Sequence, residues 1–255
     1  MQSLVEFAAG ANQVEKDVFL PIYEHLSQET RSSIYALRYL IIKSIDSSLS
    51  RKVIREGDSV LNIGCGFPMN EIMFKSWGAG RIVGIDVDKS VIEKGKVWLK
   101  DLNVDDIELH VGDALNIEYP DNSFDVVVSF SAIEHVKGWE NYEKWVAEMS
   151  RVAKRDVVLT TSNRKNWLLY FLSRFGGFEH FFTRKEIERL FSRHNVSVVL
   201  FDANTLWYSG YIPYIPGKFK SNRWTLQLDL FVEKLTRLNA LRGCGGRMGL
   251  IGEKA

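Results

Sequence analysis

Short apolar runs recur along the chain and alternate with stretches whose apolar residues repeat every three or four positions. Runs of about four to eight residues are typical of strands buried on both faces of a parallel sheet. They lie at 60–63, 81–86, 107–111, 124–129, 156–161, 196–201 and 247–254. Helical periodicity predicts helices at 71–77, 89–101, 139–154 and directly after 183. The alternation predicts an α/β fold with a mostly parallel sheet and right-handed crossovers.

A glycine turn follows the first apolar run, where Gly64-Cys65-Gly66 separates the predicted strand from the predicted helix. Glycine adopts positive φ angles and lets the backbone approach a ligand closely. Strand, glycine turn and helix together predict a nucleotide-binding element at the carboxyl end of the first strand. A dinucleotide fingerprint requires a third glycine three residues after Gly66, where Met69 stands. A pyrophosphate site, and with it a nicotinamide dehydrogenase, is therefore the interpretation ranked last.

Two acidic residues end the next two predicted strands and strengthen the interpretation of a nucleotide site. Asp86 lies 20 residues after Gly66, about the separation at which a carboxylate binds ribose hydroxyls. Asp113 follows the third run within Gly112-Asp113-Ala114. Because the carboxyl ends of parallel strands meet at one edge of a sheet, we expect both acids to face the same ligand.

Four segments resemble, in the same order, the motifs of the class I S-adenosylmethionine-dependent methyltransferases, and of their type 11-like small-molecule branch. The segments are 60–66, 84–88, 112–114 and 124–136. The resemblance covers residues 57–202. It implies a Rossmann-like, doubly wound sheet of seven strands, mostly parallel with an antiparallel last strand, and with helices on both faces. It also implies an enzyme whose cofactor is S-adenosylmethionine.

The resemblance also implies a set of cofactor-binding residues. The methionine part is expected against Asn62, Gly64, Cys65 and Gly66, the ribose on Asp86 beside Val87, the adenine on Asp113 and Ala114, and Ser129 and Phe130 along the cofactor. The chain departs from the family pattern twice, since Asn62 replaces its usual Asp and Phe67-Pro68 replaces its usual Thr-Gly. Because an amide carries no charge, we expect a weaker contact with the methionine ammonium.

Methyl transfer from a sulfonium needs no fixed catalytic triad, because the leaving group is already activated and the protein chiefly positions the acceptor. His135, after the fourth strand, and His180, among aromatic residues, are the two candidate general bases. Each has a competing interpretation: Glu134 and His135 merely anchor a loop, and His180 is a structural histidine. Cys65 is not expected to act as a nucleophile, since no neighbour in the sequence lowers a thiol pKa.

No metal site is expected. In ubiquinone-type O-methyltransferases a Glu-x-x-Glu-His pattern is associated with a metal, but Ser131 occupies the first Glu position here. The one carboxylate that remains in this pattern supplies too few hard oxygen ligands for a divalent cation. Two cysteines in 255 residues exclude a cysteine-rich zinc site.

The methyltransferase domain is predicted at 51–255, with one helical segment before it and one insertion within it. Residues 1–50 have helical periodicity and are interpreted as a lid over the cofactor, with Tyr35 and Arg38 as residues that would reach it. The alternative is simple packing of these helices on the sheet. Residues 203–246 form an insertion with aromatic, proline and basic residues. Its part at 216–247 predicts either a weak contact with an anionic membrane surface or an ordinary solvated face.

Composition narrows the choice of partner and compartment. The net charge of +1 gives no general attraction to nucleic acid, so no nucleic-acid partner is expected. The chain has neither an apolar run of about 18 residues nor a basic and then apolar N-terminal segment. A cytoplasmic protein is therefore expected. The oligomeric state is left open.

The expected activity is methyl transfer, by direct displacement, to oxygen or nitrogen of a small-molecule or lipid-like acceptor. One alternative is an RNA or protein methyltransferase. It is disfavoured because 129–132 reads Ser-Phe-Ser-Ala instead of an Asn/Asp-Pro-Pro-Tyr motif. The other alternative is a non-catalytic scaffold that binds S-adenosylmethionine, suggested by Asn62 and by Phe67-Pro68.

Overall fold

The computed structural model describes the greater part of the chain: residues 23–24, 48–166, 170, 180–202, 224 and 246–255. The predicted lid at 1–50, including Tyr35 and Arg38, and the predicted insertion at 203–246 lie almost wholly outside the described residues. Among the described residues, no helix is long and apolar enough to cross a membrane.

Seven strands form one sheet whose topology confirms the prediction. Their bounds are β1 Ser59–Ile63, β2 Arg81–Asp86, β3 Ile107–Val111, β4 Phe124–Phe130, β5 Ala153–Ser162, β6 Val196–Asp202 and β7 Arg247–Lys254. The strand order is β3-β2-β1-β4-β5-β7-β6. The pairs β1–β2, β1–β4, β2–β3 and β4–β5 are parallel, whereas β7 runs antiparallel to both β5 and β6.

Four α-helices lie wholly within the described residues and connect the strands, and local capping explains where two of them begin. They are α1 Met69–Ser76, α2 Lys89–Asp101, α3 Trp139–Val152 and α4 Arg184–Ser192. The carboxylate of Asp88 accepts the backbone N–H groups of the first turn of α2. Thr183 and Glu186 cap α4 with the reciprocal hydrogen bonds of a capping box, as the sequence predicts.

The junction of α3 and β5 differs from the prediction. The sequence predicts a helix to 154 and a strand from 156, whereas α3 ends at Val152 and β5 begins at Ala153 without a loop. Ala153 pairs with Phe124 of β4. Pairing with a strand distant in sequence therefore ends the helix before its apolar periodicity does.

The sheet is covered by apolar side chains on both faces. On one face, alternate residues of β1, β2 and β4 pack with α1 and α2, through Phe74 and Trp98 among others. On the other face, the intervening strand residues pack with α3 and α4, through Val146 and Leu190 among others. This arrangement confirms the helices on both faces, and it leaves the carboxyl ends of the parallel strands as an edge where loops converge.

Arg155 joins the starts of β1 and β5 at the opposite edge of the sheet. Its guanidinium donates to Asp58 at 2.7 and 3.2 Å, to Asp156 at 2.6 Å and to the carbonyl of Val53 at 2.9 Å. Both carboxylates are buried. The arginine is therefore the counter-ion of two acids that water hardly reaches.

An Arg155→Met variant is expected to lose about 2 kcal/mol of unfolding free energy, because two buried carboxylates lose the hydrogen-bond donor that satisfies them. Denaturant unfolding measures the loss. Lys154→Met is the matched control, since Lys154 forms an exposed ion pair with Asp125 at 3.3 Å. Such pairs contribute about 0.5 kcal/mol. Equal losses in the two variants would contradict the special role of Arg155.

Candidate functional site

Both glycines of the turn after β1 have positive φ angles, but only one of them is closely packed. Gly64 has φ +69° and Gly66 has φ +59°. A Cβ atom on Gly64 would lie 2.5 Å from the Cβ of Ala132, whereas a Cβ atom on Gly66 would meet nothing within 4 Å. Gly64 is thus required by the close approach of the loop after β4. The open side of the turn is at Gly66.

Asp86, at the end of β2, holds the glycine turn with its carboxylate. One oxygen accepts the backbone N–H of Gly66 at 2.8 Å, and the other accepts that of Asp88 at 2.9 Å. The N–H groups of Gly64 and Cys65 in turn donate to the carbonyl of Ile85 at 2.9 and 3.0 Å. A carboxylate has about four acceptor positions, so Asp86 keeps capacity for two hydroxyls of a ligand.

Asp113 lies on the neighbouring strand, at the same edge of the sheet. Asp86 pairs with Val111 in β3, and the N–H of Gly112 donates to the carbonyl of Asp86 at 3.0 Å. The two acids are therefore neighbours, as the sequence predicts. Asp113 lines a cavity of about 300 Å³ between the ends of β2 and β3 and the loop at 113–119.

The loop at 113–119 is fixed to α3 by charged groups. The carboxylate of Glu148 accepts the N–H of Ile117 at 2.7 Å. The guanidinium of Arg151 donates to the carbonyls of Ile117 and Tyr119 at 2.9 and 2.8 Å. The Arg151 guanidinium also lowers the pKa of the Glu148 carboxyl below its usual value. The cavity wall is consequently held by ionised side chains.

The remaining predicted cofactor residues differ in exposure. Val87 is 77% exposed beside Asp86, and Ala114 is half-buried. Cys65, Ser129 and Phe130 are buried, with Phe130 packed 6.2 Å from the ring of Phe74. A ligand at this edge would therefore meet the backbone of these three residues before their side chains.

Asn62 forms a buried pair with Glu71 of α1. Its amide nitrogen donates to a carboxylate oxygen of Glu71 at 2.7 Å. Both side chains are at most 1% exposed. Sequence reasoning missed Glu71, because a carboxylate in the first turn of a helix ordinarily lies in solvent.

Glu134 anchors the loop that follows β4. Its buried carboxylate accepts the hydroxyls of Thr161 at 2.9 Å and Ser162 at 3.3 Å, and its carbonyl accepts the N–H of His180 at 3.2 Å. The side chain of the adjacent His135 is exposed. Glu134 therefore anchors this loop, a role that one interpretation of the sequence gave to Glu134 and His135 together. It joins three segments that are distant in sequence.

The surroundings of His180 favour its neutral form, with only the nearby carboxylate of Glu186 raising its pKa. Its Nε2 lies 3.3 Å from a guanidinium nitrogen of Arg164, which is itself paired with Glu186 at 3.1 Å. Because arginine only donates, Nε2 accepts and the proton resides on Nδ1. Burial, and then Arg164, lower the pKa of His180 below its ordinary value. Its basic nitrogen is already engaged, which favours His135 as the candidate base.

Acidification should destabilise the protein through His180. Its folded-state pKa is lowered, so the unfolded chain binds a proton more readily. The stabilising contribution is complete above the unfolded pKa of about 6.5 and is lost as the pH falls through the folded pKa. His180→Gln, whose carbonyl oxygen can accept from Arg164, should therefore lose less Tm than the wild type between about pH 7 and 5.

His194 provides an internal control for this comparison. Its pKa is also lowered, first by burial and then by Arg193. It contributes equally to both proteins, so its effect cancels in the difference between them. Parallel Tm profiles for the wild type and His180→Gln would show that folding does not lower the pKa of His180.

The residues that the structure describes include no group of three or more His, Cys, Asp or Glu side chains arranged to hold a metal ion. The acids at the sheet edge are instead separated by glycine turns and bound to backbone N–H groups. Their free lone pairs suit hydroxyl and amino donors of an organic ligand.

Comparison with known proteins identifies the family. A model described as a methyltransferase domain matches residues 61–161. A demethylmenaquinone methyltransferase from Geobacillus sp. (strain WCH70) is 30% identical over 167 residues, covering 62% of this chain and 69% of that protein. A ribosomal protein L11 methyltransferase from Thermotoga maritima is 32% identical over 113 residues, covering 44% of this chain and 39% of that protein. The chain thus spans well under half the length of the second relative.

A solved structure agrees with the fold. The magnesium protoporphyrin IX methyltransferase from Synechocystis PCC 6803, with SAH bound, superposes with a TM-score of 0.58 at 14% identity. The superposition covers 84% of this chain and 81% of that one. The open side of Gly66 and the free acceptor positions of Asp86 fit an adenosyl ligand. The chain therefore belongs to the class I S-adenosylmethionine-dependent methyltransferases and uses S-adenosylmethionine as its cofactor.

Proposed function

We propose that this methyltransferase acts on a small-molecule or lipid-like acceptor, at oxygen or nitrogen. Of its proposed cofactor residues, Asp86 binds the ribose hydroxyls, Asp113 with the N–H of Ala114 binds the adenine, and the turn at 64–66 lies against the methionine part. The assignment of the cofactor residues rests on the carboxylate of Asp86, which accepts the N–H of Gly66 at 2.8 Å beside the strand that leads to Asp113. Similarity to a demethylmenaquinone methyltransferase supports an apolar acceptor.

The mechanism is a direct displacement in which the protein positions and desolvates the acceptor. The cofactor supplies a methyl group on a positively charged sulfur, which is already a good leaving group. Asp86 fixes the glycine turn, and Glu134 fixes the loop after β4 on the ends of β5. The exposed imidazole of His135, next to the anchored Glu134, takes the proton where the acceptor loses one.

Calorimetric titration with S-adenosylhomocysteine measures binding at the cofactor site. Transfer of a labelled methyl group to different acceptors tests the acceptor class. We expect product from an isoprenoid quinol or phenolic lipid and none from tRNA. The His135→Ala variant should retain cofactor binding while its turnover falls. Turnover on nucleic acid alone, or no turnover on any apolar acceptor despite cofactor binding, would contradict the proposal.

A protein acceptor is the second candidate. It is favoured by the 32% identity to a ribosomal protein L11 methyltransferase over 113 residues. Purified ribosomal protein L11 therefore belongs in the same labelled-methyl assay. Methylation of that protein with kcat/KM above the value for every apolar acceptor would favour the second candidate over the first.

A further inference from the structure

A buried hydrogen bond joins the strand before the glycine turn to the helix after it. The amide of Asn62 donates through Nδ2 to Oε1 of Glu71 at 2.7 Å. Neither side chain is accessible to solvent. Room for the pair exists because residue 84 is a glycine: a Cβ atom on Gly84 would lie 3.0 Å from Oε1 of Glu71 and 3.0 Å from the sulfur of Cys65.

The carboxylate determines which way the amide of Asn62 is turned. In the hydrogen bond that the structure shows, Oε1 of Glu71 accepts, so Asn62 presents its NH₂ group to Glu71. The amide oxygen then points away from Glu71. In the part of the chain that the structure describes, this oxygen has no hydrogen-bond partner. A buried acceptor without a donor is costly, and such atoms in native proteins commonly receive a ligand or an ordered water.

The chemistry of the cofactor indicates the missing donor. Asn62 lies on the face of β1 that packs with α1, two residues before the glycine turn, and its partner Glu71 lies in the first turn of the helix that follows that turn. S-adenosylmethionine has three kinds of donor: ribose hydroxyls, the adenine amino group and the ammonium of its methionine part. The proposed function assigns the first two to Asp86 and Asp113. The ammonium is the donor that the family resemblance already implies beside Asn62.

We propose that Glu71 is a positioning residue, which turns Asn62 so that its amide oxygen accepts a hydrogen bond from the cofactor ammonium, directly or through one water. The proposal rests on the cofactor site given under the proposed function. The proposed role of Glu71 explains how the uncharged side chain of Asn62 can bind a positively charged ammonium. An unrestrained amide presents oxygen or NH₂ equally well, whereas Asn62 beside a carboxylate presents only oxygen.

Exchanging the two functional groups tests the proposal in the full-length protein. In Glu71→Gln the partner of Asn62 is an amide that both donates and accepts, so the orientation of Asn62 is lost. The Kd for S-adenosylhomocysteine should rise about tenfold, the lower end for a hydrogen bond to a charged group. Glu93→Gln, on the exposed side of α2, is the matched control and should bind as the wild type.

Asn62→Asp alone places two carboxylates at hydrogen-bond distance, so one of them must take up a proton. Its affinity for S-adenosylhomocysteine should then depend on pH between about 6 and 8. In the double variant Asn62→Asp/Glu71→Gln, the introduced glutamine amide donates and the introduced aspartate accepts, which restores one orientation. Its Kd should return to within about twofold of the wild type and lose the pH dependence. If Glu71→Gln does not fold, the double variant decides.

A second ligand separates positioning from a purely structural role. 5′-Methylthioadenosine retains the nucleoside and the sulfur but has no ammonium, so Glu71→Gln should bind it as the wild type does. Equal weakening of both ligands, or unchanged binding of S-adenosylhomocysteine by Glu71→Gln, would overturn the role of Glu71. If the wild type bound neither ligand, the proposed cofactor site itself would be wrong.

Discussion

A Gly64→Ala variant is expected to lose about 3 kcal/mol of unfolding free energy. About 1 to 2 kcal/mol comes from placing a Cβ atom at φ +69°. The rest comes from overlap with the Cβ of Ala132, 2.5 Å from the new atom. Denaturant unfolding of the purified protein measures the loss.

Two further variants separate the causes. Gly64→Ala/Ala132→Gly removes the overlapping methyl group and should recover about half of the loss, leaving only the backbone term. Gly66→Ala has φ +59° and open space around the new Cβ atom, so it should lose only about 1 kcal/mol. Its methyl group projects into the open side of the turn and should weaken cofactor binding about tenfold. If Gly64→Ala were no less stable than Gly66→Ala, the packing of Ala132 on the turn would be wrong.

An Asp86→Asn variant is expected to bind S-adenosylhomocysteine about 100-fold more weakly than the wild type. The carboxylate makes charge-assisted hydrogen bonds to ligand hydroxyls, each contributing about 1.5 kcal/mol or more. It also accepts the N–H groups of Gly66 and Asp88. An amide would direct its NH₂ group at one of these donors, which would loosen the turn. Isothermal calorimetry measures both Kd values.

Asp88→Asn is the matched control for this prediction. Asp88 caps α2 by accepting the N–H of Ser90 at 2.8 Å. Asn caps helices about as well as Asp, so stability and cofactor affinity should hardly change. If both variants weakened binding equally, a general loss of negative charge would explain the result, and the specific contact with Asp86 would be refuted.

The regular elements were predictable because their signals are local. The bounds of β2, β3, β7 and α2 agree with the prediction residue for residue. The cap of α4 depends on Thr183 and on Glu186 three residues later, and their spacing is visible in the sequence. The neighbourhood of Asp86 and Asp113 also followed from the rule that parallel strands end at one edge.

Features that depend on distant contacts were not predictable. The sequence left His180 either as a candidate base or as a structural histidine, and only its contact with Arg164, 16 residues away, favours the structural role. Glu134 finds its hydroxyl partners 27 and 28 residues further along the chain. Acidic residues are ordinarily expected in solvent, so neither periodicity nor composition marks the buried ones.

Local sequence was sufficient to dictate the alternation of strands and helices, the glycine turn and the order of the acidic loops, because each depends on residues a few positions apart. Tertiary packing decided which groups are buried together. It brought Ala132 into close contact with Gly64 and buried Glu71 together with Asn62. It also ended α3 at the point where β5 pairs with β4. Such contacts arise only when segments far apart in sequence meet on the sheet, and they decide how the acids and amides of this site are oriented.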